Sequence, residues 1–77
     1  MSFFGRSKYY VAKYELISGK WQFLDTIGVY ETKSQCIDVI MKTINSNDQE
    51  ILSKLWMFNH CEIKDINYEI KTTFTNL

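Results

Sequence analysis

Between residues 8 and 30, apolar side chains recur at every second position. Tyr10, Ala12, Tyr14 and Leu16 mark one arm; Trp21, Phe23, Ile27 and Val29 mark another, with Asp25 interrupting. Alternation of aromatic and β-branched residues is the strand signal, so two strands are predicted over 8–17 and 20–30. Ser18-Gly19 lies between them. A two-residue loop there pairs Ile17 with Lys20, Leu16 with Trp21, Tyr14 with Phe23, Ala12 with Asp25 and Tyr10 with Ile27. A four-residue loop from Ile17 to Lys20 keeps those pairs. A three-residue loop slips one arm and turns its apolar set to the opposite face, so the pattern selects an even loop. Gly19 is the residue suited to a left-handed conformation, having no Cβ to clash.

This register assigns Tyr10, Ala12, Tyr14, Leu16, Trp21, Phe23, Ile27 and Val29 to a buried face. Tyr9, Val11, Lys13, Glu15 and Ile17 then lie outside, against Gly28, Thr26, Leu24, Gln22 and Lys20. That outer face is stickier than solvation requires and reads as a contact patch. Asp25 falls on the apolar face; a bulge or an end of pairing near Asp25-Thr26 releases its carboxylate.

Helical periodicity follows. Thr32-Lys-Ser-Gln35 has the spacing of a capping box, and Cys36, Ile37, Ile40, Met41 and Ile44 form one apolar stripe, so a helix is predicted to about residue 45. Asn45-Ser-Asn47 breaks it. Ser46 with Gln49 forms a second capping pattern, with Asp48 the rival cap. Ile51, Leu52, Leu55, Trp56 and Phe58 predict a second helix over 48–58, whose wide stripe carries Trp56 or Met57 to the rim. His60 reads as a helix C-terminal residue, and residues 61–63 fit neither period. From Ile66, the residues Ile66, Tyr68, Ile70, Thr72 and Phe74 alternate with Asn67, Glu69, Lys71, Thr73 and Thr75. This is the cleanest strand pattern in the chain, and its Thr-rich end with Glu69 and Lys71 suits a sheet edge. The predicted fold is α+β: a two-layer ββααβ domain with a three-stranded, mainly antiparallel sheet and two helices on one face. Pairing of the third strand beside the first or the second stays open.

With 77 residues this is a single domain over 1–77, with 1–7 a short leader. A chain of this size buries only roughly 60% of its unfolded surface, so the core is thin. Nine basic and nine acidic residues cancel, which removes the simplest electrostatic case for DNA, RNA or anionic membranes. Aromatics are in excess, with five Tyr, five Phe and two Trp, more than a core this small can hold. Nothing in the chain reads as a membrane span or a signal peptide. Two cysteines, Cys36 and Cys61, are too few for a disulfide scaffold and read as buried free thiols, which points to the cytoplasm. The lack of proline and the frequency of Ile, Lys and Asn suit an AT-rich gene, as in a phage, a plasmid or a low-GC bacterium.

Chemistry-bearing patterns are sparse. His60-Cys61 with Cys36 and Glu62 lacks the spacing of a zinc site. A Cys–His nucleophilic pair needs a cleft and an orienting group, and neighbours on one strand diverge. Gly5, Gly19 and Gly28 are too dispersed for a phosphate loop. No catalytic residue, metal or cofactor is expected, and the chain reads as non-enzymatic. Residues 8–14, Lys-Tyr-Tyr-Val-Ala-Lys-Tyr, are similar to the opening strand of the small peptidoglycan-binding repeat domains of bacterial division proteins. The similarity covers seven residues and transfers no site.

The function expected is protein binding: a stoichiometric inhibitor or adaptor from a phage or mobile element, of the anti-defence or host-takeover type, occluding a partner. Tyr9, Trp21 and Tyr30 are the candidate anchors, followed by Phe3 and Phe4, with Lys13 and Lys20 at the rim. A homodimer through the same face is a variant. The second reading is a small single-stranded nucleic-acid binder that stacks bases on Tyr9, Tyr10 and Trp21 among Arg6, Lys8, Lys13 and Lys20.

Overall fold

The computed structural model describes residues 6–75, with side chains from 8 to 73. The leader positions Phe3 and Phe4, and the side chain of Phe74, lie outside the described residues. Six elements follow in order: β1 (Arg6–Ile17), β2 (Lys20–Tyr30), α1 (Lys33–Thr43), α2 (Gln49–Phe58), β3 (His60–Ile63) and β4 (Ile66–Thr75). The fold is α+β, with an antiparallel sheet of four strands in the order β2-β1-β4-β3. The expected count of three is corrected to four. Residues 60–63 fold back on β4 through the two-residue turn Lys64-Asp65, so β4 is an inner strand between β1 and β3, not an edge.

The hairpin tip follows the pattern. Ser18 and Gly19 both take positive φ, 53° and 79°, as a two-residue primed turn requires. Leu16 pairs with Trp21 and Tyr14 with Phe23. Beyond Tyr14 the even pairing fails twice. Leu24 is an extra residue, so Asp25 meets Lys13 and Thr26 meets Ala12. Gly28 is a second, so Ile27 meets Val11 and Val29 meets Tyr10. The expected Ala12–Asp25 and Tyr10–Ile27 pairs are therefore replaced. The first bulge frees Asp25, which is exposed and accepts from the Thr26 backbone N–H at 2.8 Å. At the second, Gly28 sits at φ 55° with the Tyr30 ring folded over it, and a β-carbon there would overlap the Tyr30 ring and hydroxyl.

Both helices pack on one side of the sheet, and that side is not the one the hairpin pattern suggested. The core joins Val11, Cys36, Ile37, Ile40, Leu55, Cys61, Tyr68 and Ile70, with Tyr9, Ile27 and Tyr30 packed against it. Val11 pairs with Ile70 and Lys13 with Tyr68, so the dry face of β4 selects the Tyr9–Val11 side of β1. Tyr10, Tyr14, Leu16, Trp21, Phe23 and Val29 consequently face away from the helices. Ala12, on that same outward side, is nevertheless buried. Its small side chain is flanked by Tyr10 and Tyr14 along β1 and by Thr26 and Glu69 across.

The caps fix the helix starts. Thr32 Oγ1 accepts from Gln35 N–H at 3.2 Å, and Gln35 Oε1 accepts from Thr32 N–H at 3.1 Å, the reciprocal capping box. For α2 the rival cap wins: Asp48 Oδ1 accepts from Glu50 N–H at 2.8 Å, while Ser46 Oγ accepts from Asp48 N–H. Asn59 closes α2 in the left-handed region at φ 65°. His60 is therefore the first residue of β3 rather than the end of the helix.

Two substitutions read these backbone positions. Gly28→Ala forces a β-carbon into the Tyr30 ring at a left-handed φ, so it is expected to destabilise the fold by about 1–3 kcal/mol, seen as a lower denaturant midpoint. Lys64 holds φ 57° without the freedom of glycine. Lys64→Gly is expected to raise stability by about 0.5–1 kcal/mol, the relief of left-handed strain less the entropy glycine loses.

Candidate functional site: the open face of the sheet

With the helices on one side, no described element covers the opposite side of the sheet. Its β1–β2 half is apolar. Phe23 is 59% exposed, Val29 57% and Trp21 40%, beside the half-buried Tyr10, Tyr14 and Leu16. Tyr14 and Phe23 meet edge to face, their ring centroids 5.8 Å apart, so the patch is ordered rather than a scatter of exposed residues. Its exposed apolar area is on the order of a few hundred Å², the upper range for a monomer surface without a partner.

The β3–β4 half of the same face is polar. Asn67 lies between Tyr14 on β1 and Glu62 on β3, and Glu69 lies between Ala12 and His60. Asn67 is 8% exposed, and its amide Nδ2 donates to Glu69 Oε2 at 2.9 Å. Lys71 stands 3.6 Å from Glu69 and 5.5 Å from the Tyr14 ring centre. A side-chain hydrogen bond to Tyr14 holds its ammonium above the usual lysine range. The face thus grades from aromatic to charged across β1, with Tyr14 touching both halves.

The residues expected to anchor a partner are divided between the two faces. Tyr9 and Tyr30 pair with each other across β1 and β2 on the helix side and pack against the core, so their rings support the fold. Lys13 is on that side as well, 5.9 Å from the Tyr68 ring centre. Lys20 is exposed at the hairpin turn, and among the described members of the set only Trp21 lies in the open patch. Phe23, Val29 and Tyr14 belong to the patch instead. Their signal was in the sequence, as the alternation that first read as a buried face. A second apolar group, Trp56, Met57 and Phe58, is exposed at the end of α2, where Lys33 covers the Trp56 ring and donates to the Trp56 carbonyl.

No family model, curated protein or solved structure matches this chain. The site is therefore read from its own geometry.

Other chemistry is limited. Among the described residues no three His, Cys, Asp or Glu side chains converge as metal ligands, and no helix is long and apolar enough to cross a membrane. A shallow depression lined by Asp38, Met41, Lys42, Asn45, Ser46 and Asn47 lies at the end of α1 and joins no nucleophile to a base. Cys36 and Cys61 are free and buried. Cys61 points into the core while its neighbour His60 is exposed on the other face, as adjacent strand residues must be. Burial pushes the Cys61 thiol from its ordinary value near 9 up to about 11, against a smaller pull from Lys54, and raises Cys36 as well.

These thiols are expected to resist Ellman's reagent at pH 8, reacting only as the chain unfolds. A raised folded pKa favours the neutral thiol, so the stability from Cys61 is complete below pH 9 and is lost as pH rises from 9 towards 11. The fall in unfolding midpoint across that window should be steeper for the native chain than for Cys61→Ala.

Proposed function

We propose that this chain is a non-catalytic protein-binding module that docks its partner on the open face of β1 and β2. It acts by occupying that partner stoichiometrically, as an inhibitor or adaptor. The observation that carries the reading is the position of Trp21, Phe23 and Val29. They are three large apolar side chains, exposed on one side of one hairpin and supported from beneath by a rigid sheet. Rigid aromatic anchors lose little entropy on docking and supply most of the energy at protein interfaces. Expression from a phage or mobile element, suggested by composition, and a cytoplasmic site of action, suggested by the two free thiols, belong to the same proposal.

Exposed aromatic rings beside a lysine also suit single-stranded nucleic acid. The surrounding charge weighs against it. Lys71 is engaged by Glu69, Lys8 is bonded to Glu31 at 2.7 Å, and Glu62 adds negative charge to the face.

Affinity capture from the native host, with nuclease added, tests the reading. The partner is expected to survive nuclease and to be lost, by about 30-fold or more in affinity, for Phe23→Glu and for Trp21→Ala. Both variants should remain folded, with stability, read from the unfolding midpoint, lowered by no more than the loss of a partly exposed ring contact, about 0.5–1.5 kcal/mol. Capture unchanged by either variant, or abolished by nuclease alone, overturns the proposal. A second copy of the chain as partner appears instead as a dimer in sedimentation that Phe23→Glu dissociates.

A further inference from the structure

Resting on that reading, we infer that the polar half of the open face selects its partner by one arginine side chain, seated among Asn67, Glu62 and Tyr14. The starting point is Asn67. It is more than nine-tenths buried, and its Oδ1 is enclosed with no hydrogen-bond partner among the described residues. The orientation of the amide is not arbitrary. Glu69 Oε2 can only accept, so the amide nitrogen must face it and the oxygen is turned away. A buried acceptor left unmade is costly in a domain with a thin core, and such a group calls for a ligand or an alternative use.

The neighbours show what is missing. Glu62, directly across the β3–β4 pair from Asn67, is exposed and pairs with no cation among the described residues. The nearby cation on the face, Lys71, is engaged by Glu69 and by Tyr14. Two acceptors directly opposite on adjacent strands are therefore unmatched, about 5 Å apart as such pairs are, and Tyr14 flanks Asn67 on the other side. What meets them is a planar cation with several donors and no acceptor. Guanidinium has that form: five N–H groups in a fixed fork, and a flat face that stacks on an aromatic ring. A lysine ammonium is a compact, strongly hydrated charge and lacks the flat face. A hydroxyl can satisfy Asn67 but leaves Glu62 without a counter-charge. Glu62 is exposed, so its carboxylate can turn toward an incoming cation. On this geometry the aromatic half of the face holds the partner's apolar segment, and the arginine sets its register.

The test uses the full chain and three probes: acetyl-Gly-Arg-Gly-amide and its lysine and citrulline counterparts, titrated while nitrogen–proton spectra are recorded. The arginine probe is expected to shift the Asn67 side-chain amide and the Glu62 backbone signals saturably, with a Kd on the order of 1 mM. The lysine and citrulline probes should bind at least about threefold more weakly. Glu62→Gln, a surface change that leaves the fold intact, should weaken the arginine probe by about fivefold, the upper range for one exposed charge pair. The inference is overturned by an absent or non-saturable shift, by citrulline binding as well as arginine, or by Glu62→Gln without effect. Partner capture that needs Trp21 and Phe23 but ignores Glu62→Gln keeps the docking face and removes the arginine.

Discussion

The structure depends on β1 being bonded along both edges, with Val11 beneath the helices. β1 pairs with β2 on one side and β4 on the other, so it has no freedom to tilt, and each residue is committed to one face. Val11 is fully buried on the side that holds Ile70, Ile37, Ile40 and Leu55. With Val11 inward, Tyr10, Ala12, Tyr14 and Leu16 must point outward, because strand side chains alternate. The exposed aromatic face is thus the geometric complement of the core, not a separate feature added to it.

The same constraint explains what could and could not be read from the residues. The tip register was legible because a one-residue slip there separates Leu16 from Trp21 and Tyr14 from Phe23. The start of α1 was legible because Thr32 and Gln35 satisfy each other locally. The choice of buried face was not, because residues 9–12 are Tyr, Tyr, Val and Ala, and both alternating sets are apolar. Only a distant strand, β4, breaks that tie: its wet and dry faces are cleanly distinguished, and its register sets Ile70 against Val11. β3 escaped notice for a different reason. It has four residues, and its turn uses Lys64 at positive φ where glycine or asparagine is the usual signal.

The bulges belong to this balance. Without them, the pairing set at the hairpin tip carries Ile27 to the outer face opposite Tyr10. Leu24 and Gly28 each insert one residue, which brings Ile27 opposite Val11 and under the helices while Val29 stays outside with Tyr10. Gly28 is the one of the two with a sequence signal, since a glycine inside a strand commonly marks a bulge. Leu24 carries no such mark. The interruption of the pattern at Asp25 was the visible trace of it, and there the expected escape of the carboxylate and the observed geometry agree.

The aromatic excess then has a physical place. Two short helices form a roof large enough for one side of a four-stranded sheet. Among the described residues no further element covers the other side. Large apolar side chains on an uncovered sheet lower solubility and invite self-association, which is a cost when they bind nothing. Here they are confined to β1 and β2, while the same face of β3 and β4 carries Glu62, Asn67, Glu69 and Lys71. A uniformly apolar face binds many surfaces. If such a face docks a partner, rigid aromatic anchors beside a buried amide oxygen and a carboxylate that have no partner among the described residues would discriminate, because a wrong partner leaves those polar groups unmet. On the proposed reading, this division of the open face into an apolar half and a polar half favours a specific partner over general stickiness.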